Sequence, residues 1–389
     1  MRLTTAGESH GPRLTAILEG IPAGLTIDPA VVAAELARRQ HGYGRGGRMR
    51  IEKDAALFEG GVRGGRTLGS PIAIGIRNTD FANWETVMGP LTLDAADAAA
   101  RRLTRPRPGH ADLAGGMKFG ARDLRDVLER ASARESVARV AAGAVCKLLL
   151  RECGITVASG VLSLGAVADT TSPRAYASLE RVREDSPLRA IEPGLEPAMV
   201  AAVDEAKSRG ETLGGSILVG ARGVPAGLGS YVSWDRKLDG RIAQALLSVP
   251  AVKGVELGSA IEASRGFGSA AHDEIEKGPD GALRRRTNRA GGLEAGVTNG
   301  EEILAVVFMK PISTLARGLD SVDLETGEAA RSAYERSDVT AVPACGVIAE
   351  AMLAFVLADA LLELTGGDRL EDVAARLAEH RARVRRYPA

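Results

Sequence analysis

Histidine is scarce in this chain, 5 residues in 389, and two of them stand where an imidazole can exchange protons. His10 lies in Gly7-Glu-Ser-His-Gly-Pro12 and His110 in Arg105-Pro-Arg-Pro-Gly-His-Ala-Asp112. Turn-forming neighbours hold each ring on a loop, a commoner place for acid and base chemistry than a core. Cations gather in other short segments. A glycine-rich loop carries Arg38, Arg39, Arg45, Arg48 and Arg50 around His41 and Tyr43. Its glycines let backbone amides come close to a ligand, and guanidinium forks take phosphate or carboxylate oxygens in pairs, so the loop suits a small polyanion. In a helical stretch, Arg130 and Arg134 of Arg130-Ala-Ser-Ala-Arg134 are one turn apart and can reach one oxyanion, with Ser132 to one side. Lys310-Pro-Ile-Ser-Thr314 follows a strand, where the proline halts the ladder and hydroxyls and amides turn outward as a phosphate cradle. Arg336-Ser-Asp338 sets a cation beside a carboxylate. The combination predicts proton transfer on an anionic substrate.

Two generic phosphate patterns fail on context. Gly42-Tyr-Gly44-Arg-Gly-Gly47 spells the dinucleotide fingerprint but follows a helix, where that fingerprint needs a preceding strand. Gly60 to Thr67 imitates a P-loop with Arg for Lys, yet Ser70 to Ile76 continues as a strand where a helix is required. Arg-Gly-Gly occurs at 45–47 and 63–65 without the flanking disorder of an RNA-binding arm. Lys plus Arg (50) balance Asp plus Glu (50), and only 3% of residues are aromatic, so neither a positive field nor stacking platforms favour a nucleic-acid partner. Cys146, Cys153 and Cys345 are odd in number and follow no metal spacing, which fits a reduced cytoplasmic protein without a metal site. The first residues lack the basic start and apolar run of a signal peptide.

These residues need a scaffold. The pattern predicts a strand from Leu14 to Ile21, a turn at Pro22-Ala-Gly-Leu25 and a helix opened by Asp28-Pro29 and running through Arg39. Gly20-Ile-Pro-Ala-Gly-Leu25 recurs as Gly223-Val-Pro-Ala-Gly-Leu228, again after an apolar strand and before a helix, from about Asp235 to Ser248. This reads as an internal duplication, with two halves closing one core around a pseudo-twofold axis. Helical spacing persists from Asp123 to Arg151 and predicts one long central helix. Segments 155–167, 216–221 and 303–308 suit strands. The most apolar run, Ala344 to Leu364, is interrupted by Glu350, Asp359 and Glu363 and closed by Gly366-Gly367, as a buried core helix would be; no membrane span is implied. No linker divides the chain, so residues 1–389 are expected to form a single α+β unit.

In order along the chain, these motifs resemble the signatures of the chorismate synthase family. The resemblance rests on Ala6 to Pro12, Arg38 to Arg48, Arg107 to Asp112, Arg130 to Arg134, Thr287-Asn-Arg-Ala-Gly-Gly292, Lys310 to Thr314 and Arg336 to Asp338. It implies a carbon–oxygen lyase that eliminates phosphate from 5-enolpyruvylshikimate-3-phosphate, in a 1,4-elimination with no net redox change, to give chorismate. It also implies reduced FMN as cofactor, with NAD(P)H only an indirect source of electrons, and a homotetramer. The implied fold is a helical layer between antiparallel sheets with an internal pseudo-twofold. Carried over residue by residue, the resemblance makes His10, His110 and Asp338 catalytic: His110 serving the leaving phosphate, His10 the reduced flavin and Asp338 the transfer of the C6 proton. Ser9, Arg39, Arg45, Arg48, Ser132 and Arg134 would hold the substrate. Arg130, Ala131, Ser132, Pro250, Ala251, Ala295, Lys310, Pro311, Ile312, Ser313, Thr314 and Arg336 would line the flavin. The rival readings are an FMN-dependent oxidoreductase consuming NAD(P)H and an RNA-binding protein.

Overall fold

The computed structural model describes residues 1–47, 52–279, 281–335 and 337–387. Strand β1 (Arg2–Ala6) pairs with β2 (Arg13–Glu19), whose alternate residues Leu14, Ala16 and Leu18 are fully buried, the pattern of a sheet with one face on a core. The Gly20–Leu25 turn leads to helix α1 (Pro29–Gln40), where Asp28 caps the first turn by accepting from Ala30 N–H and Pro29 occupies the opening turn. Strands β3 (Ala56–Gly60) and β4 (Ile72–Arg77) complete an antiparallel sheet in the order β1-β2-β4-β3.

The stretch predicted as one long helix is broken. Helix α2 (Asp112–Phe119) precedes α3 (Arg125–Ala131), which stops at Ser132, and α4 (Ser136–Glu152) resumes after one tight turn at Ala133–Glu135. Ser132 adopts an extended backbone, and its hydroxyl accepts from Arg134 N–H, the local side-chain bond by which serine competes with helix continuation. The apolar period survives such a break, so periodicity did not reveal it.

Strand β5 (Thr156–Leu164), helix α5 (Glu196–Ser208), strand β6 (Gly215–Arg222), helix α6 (Leu238–Leu247), strand β7 (Val252–Leu257) and strand β8 (Ile303–Met309) follow. They build a second antiparallel sheet in which β5-β6-β8-β7 repeats the order of the first, with Val167–Ala168 added at the β5 edge. The repeated turn is held alike in both halves. Thr67 Oγ1 donates to Pro22 O (2.6 Å) and accepts from Leu25 N (3.0 Å). Thr298 Oγ1 donates to Pro225 O (2.7 Å) and accepts from Leu228 N (2.8 Å).

Helix α7 (Val342–Thr365) packs against α4, and so closely at Gly143 that an added Cβ would lie 2.4 Å from Ala351 Cβ. Helix α4 also contacts β2 and β4, and α7 contacts β5 and β6, so one hydrophobic core runs through both sheets. Among the described residues α7 is the one helix long and apolar enough to cross a membrane, and 83% of its most apolar window is buried. Helix α8 (Leu370–Arg385) covers the far end, and its His380 Nε2 reaches Ala226 O of the second turn. The three cysteines are free and buried, and burial pushes the Cys146 and Cys345 thiols up to about 12.

One ion cluster lies inside this core. Glu350 of α7, fully buried, accepts from Arg38 Nη1 (2.8 Å), Arg38 Nη2 (2.9 Å), Lys147 Nζ (2.5 Å) and Ser159 Oγ (2.6 Å). Burial would raise its carboxyl pKa, but the charges of Lys147, Arg38 and Arg189 hold it well below the ordinary range. Arg38 therefore turns into the core and away from the ligand loop in which the sequence grouped it.

Candidate active site

Both histidine loops open onto one cavity of about 500 Å³, a size suited to small molecules. Its walls come from segments following β1, α1, β4 and β8 and from those preceding β7, α4 and α7. Residues spread over most of the chain meet there because the strands and helices that carry them end on the same side of the core.

On one wall Ser9 N–H donates to Glu129 O (2.9 Å), and His10 N–H donates to Glu129 Oε2 (2.8 Å). His10 Nδ1 lies 2.9 and 3.0 Å from the two Glu129 oxygens. Arg125 Nη1 donates to the same carboxylate (3.1 Å) and Arg125 Nη2 to Glu335 (3.1 Å). Burial would raise the Glu129 carboxyl, but the hydrogen bonds and charge of His10 and the charge of Arg125 keep it below the usual glutamate value. The indole of Trp84 stacks on the His10 ring, centroids 4.0 Å apart and planes 26° from parallel.

Across the cavity, His110 Nδ1 lies 2.5 Å from Asp112 Oδ1. Arg107 grips both oxygens of that carboxylate, from Nε (2.8 Å) and Nη2 (3.0 Å), and donates from Nη1 to Thr314 Oγ1 (2.8 Å). Burial opposes ionisation of Asp112, yet the hydrogen bonds from His110 and Arg107 and their charges hold its pKa far below the ordinary aspartate value. Lys310 Nζ donates to Gly109 O (3.1 Å) and Ser313 Oγ (2.8 Å), so the predicted cradle at 310–314 is tied to the His110 loop. Burial and the nearby Lys253 lower the Lys310 ammonium.

The third wall is cationic. Arg39 Nη2 and Arg134 Nη1 share Asp54, at 2.7 and 2.6 Å, and both arginines are 4% exposed. Burial and the guanidiniums of Arg134 and Arg45 push Arg39 down to about 10 against the pull of Asp54. Cations crowded in this way gain from a bound anion. Arg39 Nε is a buried donor without a hydrogen-bond partner among the described residues. Asp338 is bound by Arg45 Nη1 (2.9 Å) and Gly46 N–H (2.6 Å), which fastens the glycine loop to the segment before α7. Leu128, Ala131, Ala251, Met309, Ile312 and Ile348 supply an apolar face.

Of the residues expected from the sequence, Ser9, His10, Arg39, Arg45, His110, Ser132, Arg134 and Asp338 line the cavity. So do Ala131, Pro250, Ala251, Lys310, Ile312, Ser313 and Thr314. Arg130 does not. The bend at Ser132 separates it from Arg134, and its guanidinium braces the end of β1 by donating to Gly7 O (3.1 Å) and Thr5 O (3.0 Å). Pro311 is outside the lining, and Ala295, an exposed residue with positive φ (52°) at the turn of a hairpin, is also outside it. Arg48 and Arg336 lie outside the described residues. Tyr43 points away, donating to Asp204 of α5 (2.7 Å). Sequence reasoning did not select Arg107, Asp80, Trp84 or Glu335, which also form walls. Arg107 belongs to the His110 motif and Trp84 is one of 2 tryptophans, so both carried a signal; Glu335 carried none.

Fold and site together set two histidines, several arginines and several carboxylates around one small cavity, the kind of lining an enzyme active site has. The chorismate synthase family model matches residues 1–362, and the chain belongs to that family. It is 52% identical over 388 residues to chorismate synthase of Geobacillus thermodenitrificans, covering 100% of this chain and 99% of the relative. It is 53% identical over 381 residues to that of Moorella thermoacetica, with 98% of each covered. A crystal structure of chorismate synthase superposes with a TM-score of 0.79 at 43% identity, covering 99% of this chain and 98% of that one. The chain is accordingly a carbon–oxygen lyase of the shikimate pathway, in aromatic amino-acid biosynthesis.

Proposed function

We propose that the cavity binds 5-enolpyruvylshikimate-3-phosphate beside reduced FMN and converts it to chorismate and phosphate by 1,4-elimination. The observation that carries this reading is the meeting of His10, His110 and three buried or half-buried arginines, Arg39, Arg45 and Arg134, around one space with an apolar face. The substrate bears two carboxylates and a phosphate, and each buried anion needs paired cations to offset lost hydration. Arg39, Arg45 and Arg134, with Arg48, hold those groups, and Ser9 and Ser132 add hydroxyls. His110, braced by Asp112, holds a proton for the departing phosphate oxygen.

The wall fits the flavin. Ala131, Ala251 and Ile312 offer an apolar surface for a planar ring system, and Ser132, Lys310, Ser313 and Thr314 offer polar contacts at its edge. Pro250 extends the apolar surface, and Arg336 joins the set by family resemblance. When bound, reduced flavin supplies electron density that compensates the charge developing as phosphate leaves a poorly activated ring. His10 holds a proton on the flavin side, and Asp338, oriented by Arg45 and Gly46, assists removal of the C6 proton.

The same reading takes residues 1–389 as one unit with a helical layer between two sheets. The contacts of α4 with the first sheet and of α7 with the second support it, as the matching strand orders support a pseudo-twofold. It includes a homotetramer in the cytoplasm, and no nucleic-acid or membrane partner. The test is phosphate release under anaerobic conditions from purified chain, substrate and dithionite-reduced FMN. Rapid release with reduced flavin and none with oxidised flavin is expected; equal release with both overturns the reading.

A further inference from the structure

We propose that Glu129 is a positioning residue for His10, holding the imidazole as the Nδ1–H tautomer and in one fixed plane, so that Nε2 is the nitrogen that exchanges protons. The inference deepens the proposed function, because it concerns how that histidine is prepared. A carboxylate accepts hydrogen bonds only, so a ring nitrogen 2.9 and 3.0 Å from its two oxygens carries the proton, and the neutral ring keeps its lone pair on Nε2.

Glu129 is placed to do this and nothing else at the surface. Its side chain has no exposed area. Its main-chain oxygen takes Ser9 N–H and its carboxylate takes His10 N–H, so α3 fixes the backbone of the loop as well as the ring. Arg125, one helical turn earlier, balances the charge by donating to Glu129 Oε1 and is itself tied to Glu335. The second face of the imidazole is closed by Trp84, whose indole is in turn flanked by the guanidiniums of Arg101 (4.3 Å) and Arg125 (5.0 Å). A histidine kept only for packing needs no tautomer, whereas one that passes a proton at a set position needs both tautomer and plane held. His110 supplies the internal contrast: its Nδ1 meets one oxygen of Asp112, a carboxylate that Arg107 grips through both, whereas both Glu129 oxygens face His10 Nδ1 and Arg125 takes only one of them.

The test uses the full chain with its histidines labelled with ¹⁵N, without flavin, and reads the tautomer of His10 by NMR. The wild-type ring is expected as Nδ1–H; an Nε2–H ring overturns the proposal without any variant. Glu129→Gln is expected to give mixed tautomers and, with reduced FMN, to lower kcat about 10²-fold while KM stays within about 3-fold, since a tautomer-holding partner acts on the proton and not on substrate binding. Glu129→Asp, which keeps a carboxylate, is expected to restore most of the Nδ1–H signal and part of kcat. An unchanged tautomer in Glu129→Gln, whatever its thermal stability, overturns the proposal. The NMR result stands even if the lyase assay fails, so failure of this inference and failure of the functional reading are told apart.

Discussion

The connection from α1 to β3 and the connection from α6 to β7 occupy matching places in two sheets of the same strand order, yet they bring opposite chemistry to the cavity. The first, residues 41–55, is long and carries Arg45, Gly46 and Asp54, the carboxylate on which Arg39 and Arg134 meet. The second, residues 248–251, is short and contributes Pro250 and Ala251. The connections after β4 and β8 differ likewise: one delivers Trp84 and His110, the other Lys310, Ser313 and Thr314. The two sheets are alike because each buries one face against a long central helix, α4 for the first and α7 for the second, whereas the loops, freed from packing, form one wall dense in charge and one of small apolar and hydroxyl residues with a single lysine. An asymmetric cavity suits two different molecules lying side by side.

The largest expected effect lies on the divergent side. His10→Ala and His110→Ala should each lower phosphate release with reduced FMN by roughly 10²–10⁴-fold, with thermal unfolding little changed, because each removes a proton donor from a loop. Near wild-type turnover in both would mean that the loops do not carry the chemistry.

Next comes the core between the halves. Glu350→Gln should destabilise the chain by about 3–5 kcal/mol in denaturant unfolding, since Arg189 would lose its buried counter-charge and Arg38 and Lys147 would be left to share Glu35. The sign of its pH dependence follows from the depressed folded-state pKa of Glu350, shared by Asp112. The stability each contributes is present above the ordinary carboxyl value of about 4 and is lost as pH falls below it toward the folded value. Unfolding free energy of the wild type should therefore drop through that acidic window, and Glu350→Gln should flatten the drop. A steeper slope in the variant would contradict the assignment.

The smallest effect sharpens the likeness itself. Thr67→Val and Thr298→Val each strip a buried hydroxyl that bridges an N–H and a carbonyl of the repeated turn, which should cost about 1–3 kcal/mol. Similar losses in both, with kcat retained, would mean that the two turns do the same work. A loss confined to one would mean that the repeat is kept by ancestry alone.

Much of the framework was legible because it rests on local rules. Asp28-Pro29 opened a helix where cap and proline predicted, the glycine pair after Thr365 closed α7, and both copies of the hexapeptide form a turn held by a threonine hydroxyl. The break at Ser132 was not legible, because a serine can cap a turn or ride within a helix and only its surroundings choose. That one bend sent Arg130 to the β1 end and Arg134 to the cavity, undoing an inference from helical spacing. As loop cations, apart from the family resemblance, Arg38 and Arg39 were indistinguishable in sequence. They separate because successive helix positions point about 100° apart, one toward buried Glu350 and the other toward Asp54.

By itself the chain of residues determined where α1 begins, which strands hide a face, that one turn motif is written twice, and which short motifs could bear a proton or grip an anion. These depend on neighbours within a few positions, where backbone sterics and apolar period act. Only the tertiary structure decided that His10 is matched with Glu129 and Trp84, that Arg39 and Arg134 share Asp54, and that His110 is tied to Lys310 through Gly109. Such pairings join segments far apart in sequence, and their strength comes from shared burial, which exists only after the two sheets have closed over the helices.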